Sequence, residues 1–449
     1  MRACRLLKLR RLQTPIQKMP PKVVKMAHPR LKGFKETTNV EKALERFFAN
    51  VTVEKLSSEL VPPEEALGRV LAEDVVSKVN VPSHDRAAMD GYAVVAVDTF
   101  GSSQTSPALL SLVNRVDMGE YPTFQLRGGE MAEIATGGIL PVGADAVVIL
   151  EYARKIDERQ VEILIPVTPG ENVSKAGEDV RNGDLALKEG TRVKPPDVAM
   201  LAALSIERVR VVRRPKVAMI CTGSELIELG SPPSPGKILN TNRFLLSAMI
   251  EELGASPIYL GIAEDTVKDI SRLIRLGSVE ADIVTITGGT SVGGKDLVPD
   301  AIDLTGKPGM LVHGISIRPG MPTGLASVKG KPVISLSGQP VAAMIGFNTF
   351  VRPLILRLLG TIEEPRPFVE AKLSRRIASA SGMKTFLRVV VKESEGGYVA
   401  DPITTSGSGL LSSMTQANGI IVIPEDKEGI EAGEEVKVTL FRPVERKGA

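Results

Sequence analysis

A glycine-rich loop that carries a lysine and a carboxylate follows an apolar, β-branched run in the second half of the chain. The run covers residues 283–287, four glycines fall within residues 288–294, and Lys295 and Asp296 come next. Such a run predicts a buried strand, and the glycines leave backbone N–H groups open to a ligand. Open N–H groups bind oxyanions. A lysine beside a carboxylate suits a phosphate together with a divalent metal ion.

Two other apolar runs end in similar turns. Residues 217–221 lead into Thr222-Gly-Ser-Glu225, and residues 333–336 lead into Ser337-Gly-Gln-Pro340. In a parallel sheet these turns and the glycine-rich loop lie together at the carboxyl edge, where such folds bind ligands. A glycine at any one strand end can simply make a turn. Three such turns on one edge, two of them with carboxylates, favour a ligand site.

The glycine-rich loop nearly matches a nucleotide-binding P-loop. Residues 289–295 satisfy G-x-x-x-x-G-K, but Asp296 stands where that motif needs Ser or Thr to bind Mg²⁺. A carboxylate at that position would repel the phosphates, and the strand before the loop is not the first of its domain. A P-loop nucleotide hydrolase is therefore not supported.

Carboxylates in turns form a second group of candidates. Asp90 precedes a predicted strand, Asp179 lies in a loop, and Asp265 follows the second strand of the α/β segment. Each can also be a solvated turn residue, and Asp90-Gly91 is a common turn pair. The three histidines are scattered, and no His/Cys cluster has metal-ligand spacing. Zinc chemistry and Ser-His triads are therefore not supported.

The elements that must position these residues begin at Pro215, where strands and helices alternate. This alternation predicts a Rossmann-like parallel α/β domain with both faces of its sheet covered. The predicted strands are 217–221, 258–260, 283–287 and 333–336, and the predicted helices are 241–253, 267–276 and 340–359.

Shorter elements flank the α/β segment and make the fold class multidomain. Helices at 39–50, capped by Thr38 or Asn39, and at 195–206 predict a helical linker domain. Short alternating runs between them predict an inserted small β domain, and strand-like runs after Pro367 predict a C-terminal β-barrel-like domain. The predicted boundaries are 1–33 for a basic tail, 34–76 with 184–210 for the helical domain, 77–183 for the inserted domain, 211–362 for the α/β domain and 363–443 for the last domain.

Composition excludes several classes of function. The chain has no Trp and only 4% aromatic residues, so base-stacking platforms for nucleic acid are not expected. Residues 1–32 hold ten Lys or Arg and no acid, and the remainder has 46 Lys and Arg against 53 Asp and Glu, a balance of −7. The body therefore offers no basic nucleic-acid surface. Only two cysteines occur, and no uninterrupted apolar run reaches about 18 residues, which indicates a cytoplasmic protein without a membrane span.

The basic tail has three interpretations. An Arg-rich, acid-free segment fits a targeting peptide. Its composition also fits a disordered segment. Met19 and Met26 offer later start sites, so the tail can equally be an over-long start.

Six motifs occur in order along the chain, and together they are specific. They resemble the MoeA family of molybdopterin molybdenumtransferases, related to the E domain of gephyrin, in a prokaryotic, archaeal-type form. The resemblance covers residues 34–443. The motifs are Asp85-Arg-Ala-Ala-Met-Asp-Gly-Tyr-Ala93, Ala135-Thr-Gly-Gly-Ile-Leu-Pro-Val-Gly-Ala-Asp-Ala-Val-Val148, Gly177-Glu-Asp-Val-Arg181, Thr222-Gly-Ser-Glu-Leu226, Thr287-Gly-Gly-Thr-Ser-Val-Gly293 and Ser337-Gly-Gln-Pro-Val341.

The resemblance implies a homodimer that inserts molybdate or tungstate into adenylylated molybdopterin, releases AMP and uses Mg²⁺. The cleft would lie between the α/β domain of one subunit and the inserted domain of the other. Expected partners are the molybdopterin adenylyltransferase and molybdoenzyme maturation factors, with neither nucleic acid nor a membrane.

The resemblance also implies roles for individual residues. It implies catalytic roles for Asp90, Thr136 and Asp179, and metal binding by Glu225 and Asp296. The residues implied to bind substrate are Thr222, Gly223, Asp265, Gly288, Gly289, Ser291, Gly293, Lys295, Arg318, Pro322, Ser337, Gly338, Pro340, Arg388 and Ser408.

One motif departs from the family pattern. The family more often has Lys-Pro-Gly-Lys-Pro, or Arg at its first position, where this chain has Arg318-Pro-Gly-Met321-Pro. Gln339 also stands where Asn is usual. Because one basic residue is missing, Arg318 is expected to carry the anion charge alone, with Arg388 and Ser408 as weaker candidates. The choice between molybdate and tungstate stays open.

Two other functions compete with this interpretation. The α/β domain is shared in outline with molybdopterin adenylyltransferases, and the E domain of gephyrin also acts as a scaffold that binds receptor loops. The flanking β domains and the Asp90 motif argue against an adenylyltransferase. The presence of all six motifs argues against a purely structural role.

Overall fold

The computed structural model describes residues 37–289, 296–403 and 409–445, so the predicted basic tail lies outside the described residues. An α/β domain at the centre contains a six-stranded sheet. The strand order is Ser256–Ala263, Lys216–Thr222, Ile283–Thr287, Lys331–Leu336, Gly324–Val328 and Pro308–His313. Helices pack on the sheet, at Thr241–Glu252, Val267–Glu280, Leu297–Thr305, and Pro340–Gly346 continuing through a π-helical stretch, Phe347–Val351, into Arg352–Leu359.

Side chains that alternate along the strands contribute to two apolar layers, one on each face of the sheet. Val217 and Met219 enter the layer that also contains the long C-terminal helix. Ala218 and Ile220 enter the layer formed with the helices at 267–280 and 297–305. The period of two places successive side chains on opposite faces of the sheet, so both faces are covered as the sequence predicts.

The predicted parallel pairing is correct for four strands and wrong at one edge. Gly324–Val328 pairs antiparallel with Lys331–Leu336, and Pro308–His313 pairs antiparallel with Gly324–Val328. Lys329 and Gly330, between the first two of these strands, have φ of 54° and 82°. Two positive φ values are typical of the type I′ turn that closes a hairpin. The hairpin was missed because Lys-Gly is a weaker turn signal than Asn-Gly.

The first described helix, Val40–Phe48, begins at Asn39, whose side chain accepts a hydrogen bond from the N–H of Lys42 at 2.9 Å. The sequence places this helix in the helical domain. It packs instead against the α/β sheet through Val40, Ala43 and Phe47. Its Val-x-x-Ala-x-x-x-Phe spacing gives one apolar face, and that face needs a larger apolar surface than the small linker domain offers.

The helical domain and the inserted domain are interleaved in the chain. Strands Ser58–Val61 and Val209–Val212 pair, as do Val75–Val76 and Leu185–Leu187, so the chain leaves this domain and returns to it. Helix Pro195–Ala203 completes its core through Leu201. The insertion forms a sheet with the strand order Ala146–Ile149, Gly91–Val94, Glu130–Ile134, Ala108–Val116, Gln160–Ile163 and Ala153–Lys155.

The C-terminal domain is a closed five-stranded barrel. Its strands follow the order Lys384–Ser394, Gly397–Pro402, Phe368–Leu373, Glu435–Leu440 and Gly419–Ile423, and the last pairs again with the first. A short strand of the α/β domain, Ile317–Arg318, pairs in parallel with the start of Lys384–Ser394. The barrel and the α/β domain are therefore joined by a shared β-ladder.

The long C-terminal helix of the α/β domain is apolar. Residues Pro340–Leu359 have the length and composition of a membrane span, and 67% of the most apolar 18-residue stretch of this helix is buried inside the protein. Phe347, Phe350 and Leu354 contribute to the apolar core of the α/β domain. The apolar character is thus explained by packing within the fold.

Candidate functional site

The three predicted turns lie side by side. The strands that end at Thr222, Thr287 and Leu336 are neighbours in the sheet and run in parallel. The turns are in close contact, since a Cβ on Gly288 would lie 2.0 Å from the carbonyl oxygen of Thr222. Gly288 also has φ of 90°, which disfavours any side chain. The carboxyl edge predicted from the sequence therefore exists, and glycine is required there.

A large cavity opens above these turns, between the α/β domain and the barrel. Its volume is about 1460 Å³. One wall is the α/β edge and the loop Arg318–Pro322, and the other is the segment 377–388 of the barrel. The residues implied to bind substrate that line it are Thr222, Gly288, Gly289, Arg318, Pro322, Ser337, Gly338, Pro340 and Arg388, and the candidate metal ligand Glu225 lines it as well.

Two arginines and the acidic Glu225 are the charged side chains on this cavity among the described residues. Arg388 is 2% exposed, and burial lowers the pKa of its guanidinium. Its Nε is buried without a hydrogen-bond partner, and the described part of the chain supplies neither a hydrogen bond nor an ion pair to its side chain. Arg318 is exposed on the same cavity. A buried cation without a counter-ion is costly unless an anion joins it.

Asp265 braces a turn and does not line the cavity. Its Oδ1 accepts a hydrogen bond from Thr222 Oγ1 at 2.7 Å, and its Oδ2 accepts one from the N–H of Ser224 at 2.7 Å. The first turn is thereby fixed in the shape that presents Thr222 and Glu225. Gly223 lies in the braced turn, beneath the carboxylate of Glu225.

The two candidate metal ligands have different surroundings. The carboxylate of Glu225 lies on the cavity, and the described residues give it no ion pair. Asp296 caps the helix Leu297–Thr305, and its Oδ2 lies 3.0 Å from Nε2 of His313. Among the described residues no three His, Cys, Asp or Glu side chains form a metal cage. Ser291, Gly293, Lys295 and Ser408 lie outside the described residues.

The three residues assigned catalytic roles meet in the inserted domain. The N–H and Oγ1 of Thr136 donate to Oδ1 of Asp90 at 2.6 and 2.8 Å. These bonds, the backbone one first, hold the pKa of Asp90 below its usual range. Thr136 and Asp179 line a second cavity of about 380 Å³, together with Arg86 and Ser174. The two cavities share no lining residue within one chain.

Other residues of the large cavity were missed by the sequence analysis. Asn240 and Asn242 begin the helix Thr241–Glu252, and Asn242 Nδ2 donates to the carbonyl of Gly338 at 2.9 Å, which joins this helix to the third turn. Two Asn residues around a helix start are a usable signal, since Asn favours caps. The barrel residues from Ile377 to Leu387 carry no comparable signal, because their position depends on the packing of a distant domain.

Comparison with known families matches nearly the whole chain. A model of the MoeA N-terminal region (domain I and II) matches residues 38–205. A model described as "Probable molybdopterin binding domain" matches residues 218–357, and one of the MoeA C-terminal region (domain IV) matches residues 370–441.

Proteins with similar sequences and structures carry related names. The chain is 34% identical to a molybdopterin molybdenumtransferase of Bacillus subtilis, over 86% of this chain and 90% of that protein. It is 33% identical to molybdopterin molybdenumtransferase 2 of Mycobacterium tuberculosis, over 84% and 94%. The crystal structure of the molybdopterin biosynthesis MoeA protein from Pyrococcus horikoshii is 39% identical, covers 91% of this chain and all of that one, and superposes with a TM-score of 0.79.

Proposed function

The chain belongs to the MoeA family, and from that membership we propose that it is a molybdopterin molybdenumtransferase. The reaction is insertion of molybdate or tungstate into adenylylated molybdopterin with release of AMP, a step of molybdenum cofactor biosynthesis. The relatives that carry this name match over most of their length. The alternatives of an adenylyltransferase or a scaffold are not favoured, because the family match extends through both flanking regions.

The observation that carries the proposal is the buried guanidinium of Arg388 on the wall of the large cavity, to which the described residues give no partner. Removing such a charge from water costs several kcal/mol. A tetrahedral oxyanion between Arg388 and Arg318 would compensate that cost and accept hydrogen bonds from both side chains. In this proposal Arg318 and Arg388 share the anion charge, whereas the sequence analysis assigned it to Arg318, with Arg388 as a weaker candidate.

The remaining surface suits a nucleotide-linked pterin. Small-molecule pockets usually span about 300–1000 Å³, and this cavity, at 1460 Å³, has room for such a ligand beside an oxyanion. The turns at Thr222, Gly288 and Ser337 present backbone N–H groups, which bind phosphate. Leu226, Ile238 and Leu239 on the rim supply apolar surface for rings.

We propose that a magnesium ion binds at Glu225, the candidate metal ligand that lines the cavity. Mg²⁺ is typically bound by one or two carboxylates together with substrate phosphates and water. The described residues give Glu225 no ion pair, and Asp296, which does not line the cavity, would add an oxygen if its contact with His313 opened. When bound, the ion would neutralise charge on the departing adenylate phosphate.

A homodimer would unite the two cavities. Thr136 and Asp179 line a cavity that shares no residue with the large cavity of the same chain, and Asp90 accepts two hydrogen bonds from Thr136. We propose that the inserted domain of a second subunit closes over the large cavity and brings an ionised Asp90 to the bound substrate. A cytoplasmic location fits this use of soluble substrates.

The decisive experiment mixes the protein with adenylylated molybdopterin and measures AMP release as molybdate is added. Molybdate-dependent release supports the proposal. Formation of an adenylyl adduct from ATP and molybdopterin would instead identify an adenylyltransferase. In the same assay, unchanged molybdate dependence in Arg318→Ala would remove Arg318 from the anion site.

A further inference from the structure

The short segment 314–318, which leads into Arg318, is held from both sides. On one side, Thr38 forms a parallel bridge with Ile315. The N–H of Thr38 donates to the carbonyl of Gly314 at 3.1 Å, and the N–H of Ser316 donates to the carbonyl of Thr38 at 2.8 Å. The start of the described chain is thus hydrogen-bonded to the loop that carries a cavity arginine.

On its other side the segment belongs to the barrel. Ile317 and Arg318 pair with Lys384 and Thr385, and the N–H of Lys384 donates to the carbonyl of Ser316 at 2.9 Å. The N–H of Ser316 therefore donates a hydrogen bond to Thr38, and its carbonyl accepts one from the barrel strand. The barrel strand Lys384–Ser394 also carries Arg388, the second arginine of the cavity.

Side chains reinforce both contacts. The hydroxyls of Ser316 and Thr37 lie 2.8 Å apart, and Ser316 is 6% exposed. Lys384 Nζ donates to Glu41 Oε1 at 3.0 Å, which connects the barrel to the first helix. Thr37 itself lines the large cavity. Because a hydrogen bond between hydroxyls is directional, this part-buried pair helps to fix the orientation of the backbone just before Arg318.

We propose that Ser316 and Thr37 are positioning residues for the oxyanion: their hydroxyl pair sets where Arg318 stands relative to Arg388. This inference rests on the proposed function. The pair acts through Arg318, so it governs the affinity for the oxyanion. The turns that face the nucleotide-linked pterin belong to other strands of the sheet and do not depend on it.

The test compares Ser316→Ala, Thr37→Val and the double variant with wild type in molybdate-dependent AMP release. We expect the molybdate concentration for half-maximal rate to rise about 3- to 10-fold, the range that one lost hydrogen bond produces. The KM for adenylylated molybdopterin and the rate at saturating molybdate should stay near wild type. Since both residues form the same bond, the double variant should resemble the single ones.

Two matched variants separate positioning from general destabilisation. Ser316→Thr keeps the hydroxyl and should restore the molybdate response. Ser271→Ala removes another buried hydroxyl of the α/β domain, one that donates to the carbonyl of Ala301 at 2.9 Å, and should lower stability without changing the molybdate response. Calorimetric titration of the same proteins with molybdate measures the site without turnover.

The proposal is overturned if Ser316→Ala binds molybdate like wild type. It is equally overturned if both substrates lose affinity in parallel, since that pattern indicates a general structural defect. Failure of the proposed function gives a different result: wild type itself would then release no AMP in response to molybdate.

Discussion

The two cavities of this chain treat charge in opposite ways. The large one, of about 1460 Å³, has the buried cation Arg388 on its wall, and none of the residues that the structure describes pairs with it. Beside the small one, of about 380 Å³, the exposed carboxylate of Asp90 accepts two hydrogen bonds from Thr136, which lines that cavity. A buried charge without a partner is destabilising, so a ligand of opposite charge that pairs with it removes that cost on binding. A solvated, hydrogen-bonded carboxylate stays ionised and is free to act on whatever approaches it.

The contrast indicates a division of labour. In the proposed function, the α/β domain and the barrel would bind and orient the substrates, and the inserted domain would supply reactive groups to the large cavity of the second subunit. Loss of a residue should therefore change affinity in one region and rate in the other.

The largest effect is expected at the small cavity. Asp90→Ala should lower the rate of AMP release at saturating substrate by 100-fold or more, roughly the contribution of a positioned acid–base group, while leaving molybdate binding unchanged. Single-turnover kinetics and calorimetry measure the two quantities. Asp98→Asn, which alters another carboxylate of the same domain that accepts a backbone N–H, is the control. Loss of binding with an intact rate would reverse the proposed division.

The next effect is expected at the large cavity. Arg388→Met should raise the molybdate concentration for half-maximal rate about 10- to 100-fold, because a charged hydrogen bond is lost. It should also raise the free energy of unfolding by about 1 kcal/mol, since an uncompensated buried charge is replaced by an apolar chain. Denaturant titration measures the second effect. Arg375→Met, on a barrel arginine bonded to the carbonyl of Pro402, should produce neither change.

Mixing subunits tests whether the two regions act across a dimer. At a molybdate concentration too low for the Arg388→Met protein to act, Asp90→Ala and Arg388→Met proteins are each deficient alone. When unfolded together and reassembled, they should recover roughly a quarter of wild-type activity, because half the dimers then contain one intact site. A mixture no more active than its components would place both groups in one subunit.

The smallest effect is a displacement of the pH profile. Two hydrogen bonds lower the pKa of Asp90, so its carboxylate stays ionised to lower pH than usual and activity is lost as the pH falls through that lowered pKa. Thr136→Val removes the hydroxyl bond, raises the pKa of Asp90 and should move the acid limb of the pH–rate profile to higher pH. Thr136→Ser should leave the limb in place. An unmoved limb in Thr136→Val would show that Asp90 does not control it.

The sequence predicts well those elements whose structure depends on residues that are close together in the chain. The apolar runs before Thr222, Gly288 and Ser337 specify buried strands, and parallel strands place their ends together. The Lys329-Gly330 hairpin was missed because its turn signal is weak. The far wall of the cavity, near Arg388, depends on contacts between domains that no local pattern encodes.

Local reasoning was also limited for individual side chains. Asp265 and Glu225 are both acidic residues at strand ends, yet one braces a turn and the other faces the cavity. The difference arises from which backbone N–H groups lie within reach of each carboxylate, and only the folded chain determines which groups those are.

The contacts of the segment 314–318 also affect when, during synthesis, the large cavity can be completed. Its side-chain bonds connect residues 279 and 343 positions apart, Thr37 to Ser316 and Glu41 to Lys384. The barrel closes only after Glu435–Leu440 has been made, roughly ten seconds after Arg318 at ordinary translation rates. The strands of the α/β sheet are therefore synthesised before the barrel strand that carries Arg388, and a chain that ends before the barrel would lack one of the two arginines of the proposed oxyanion site.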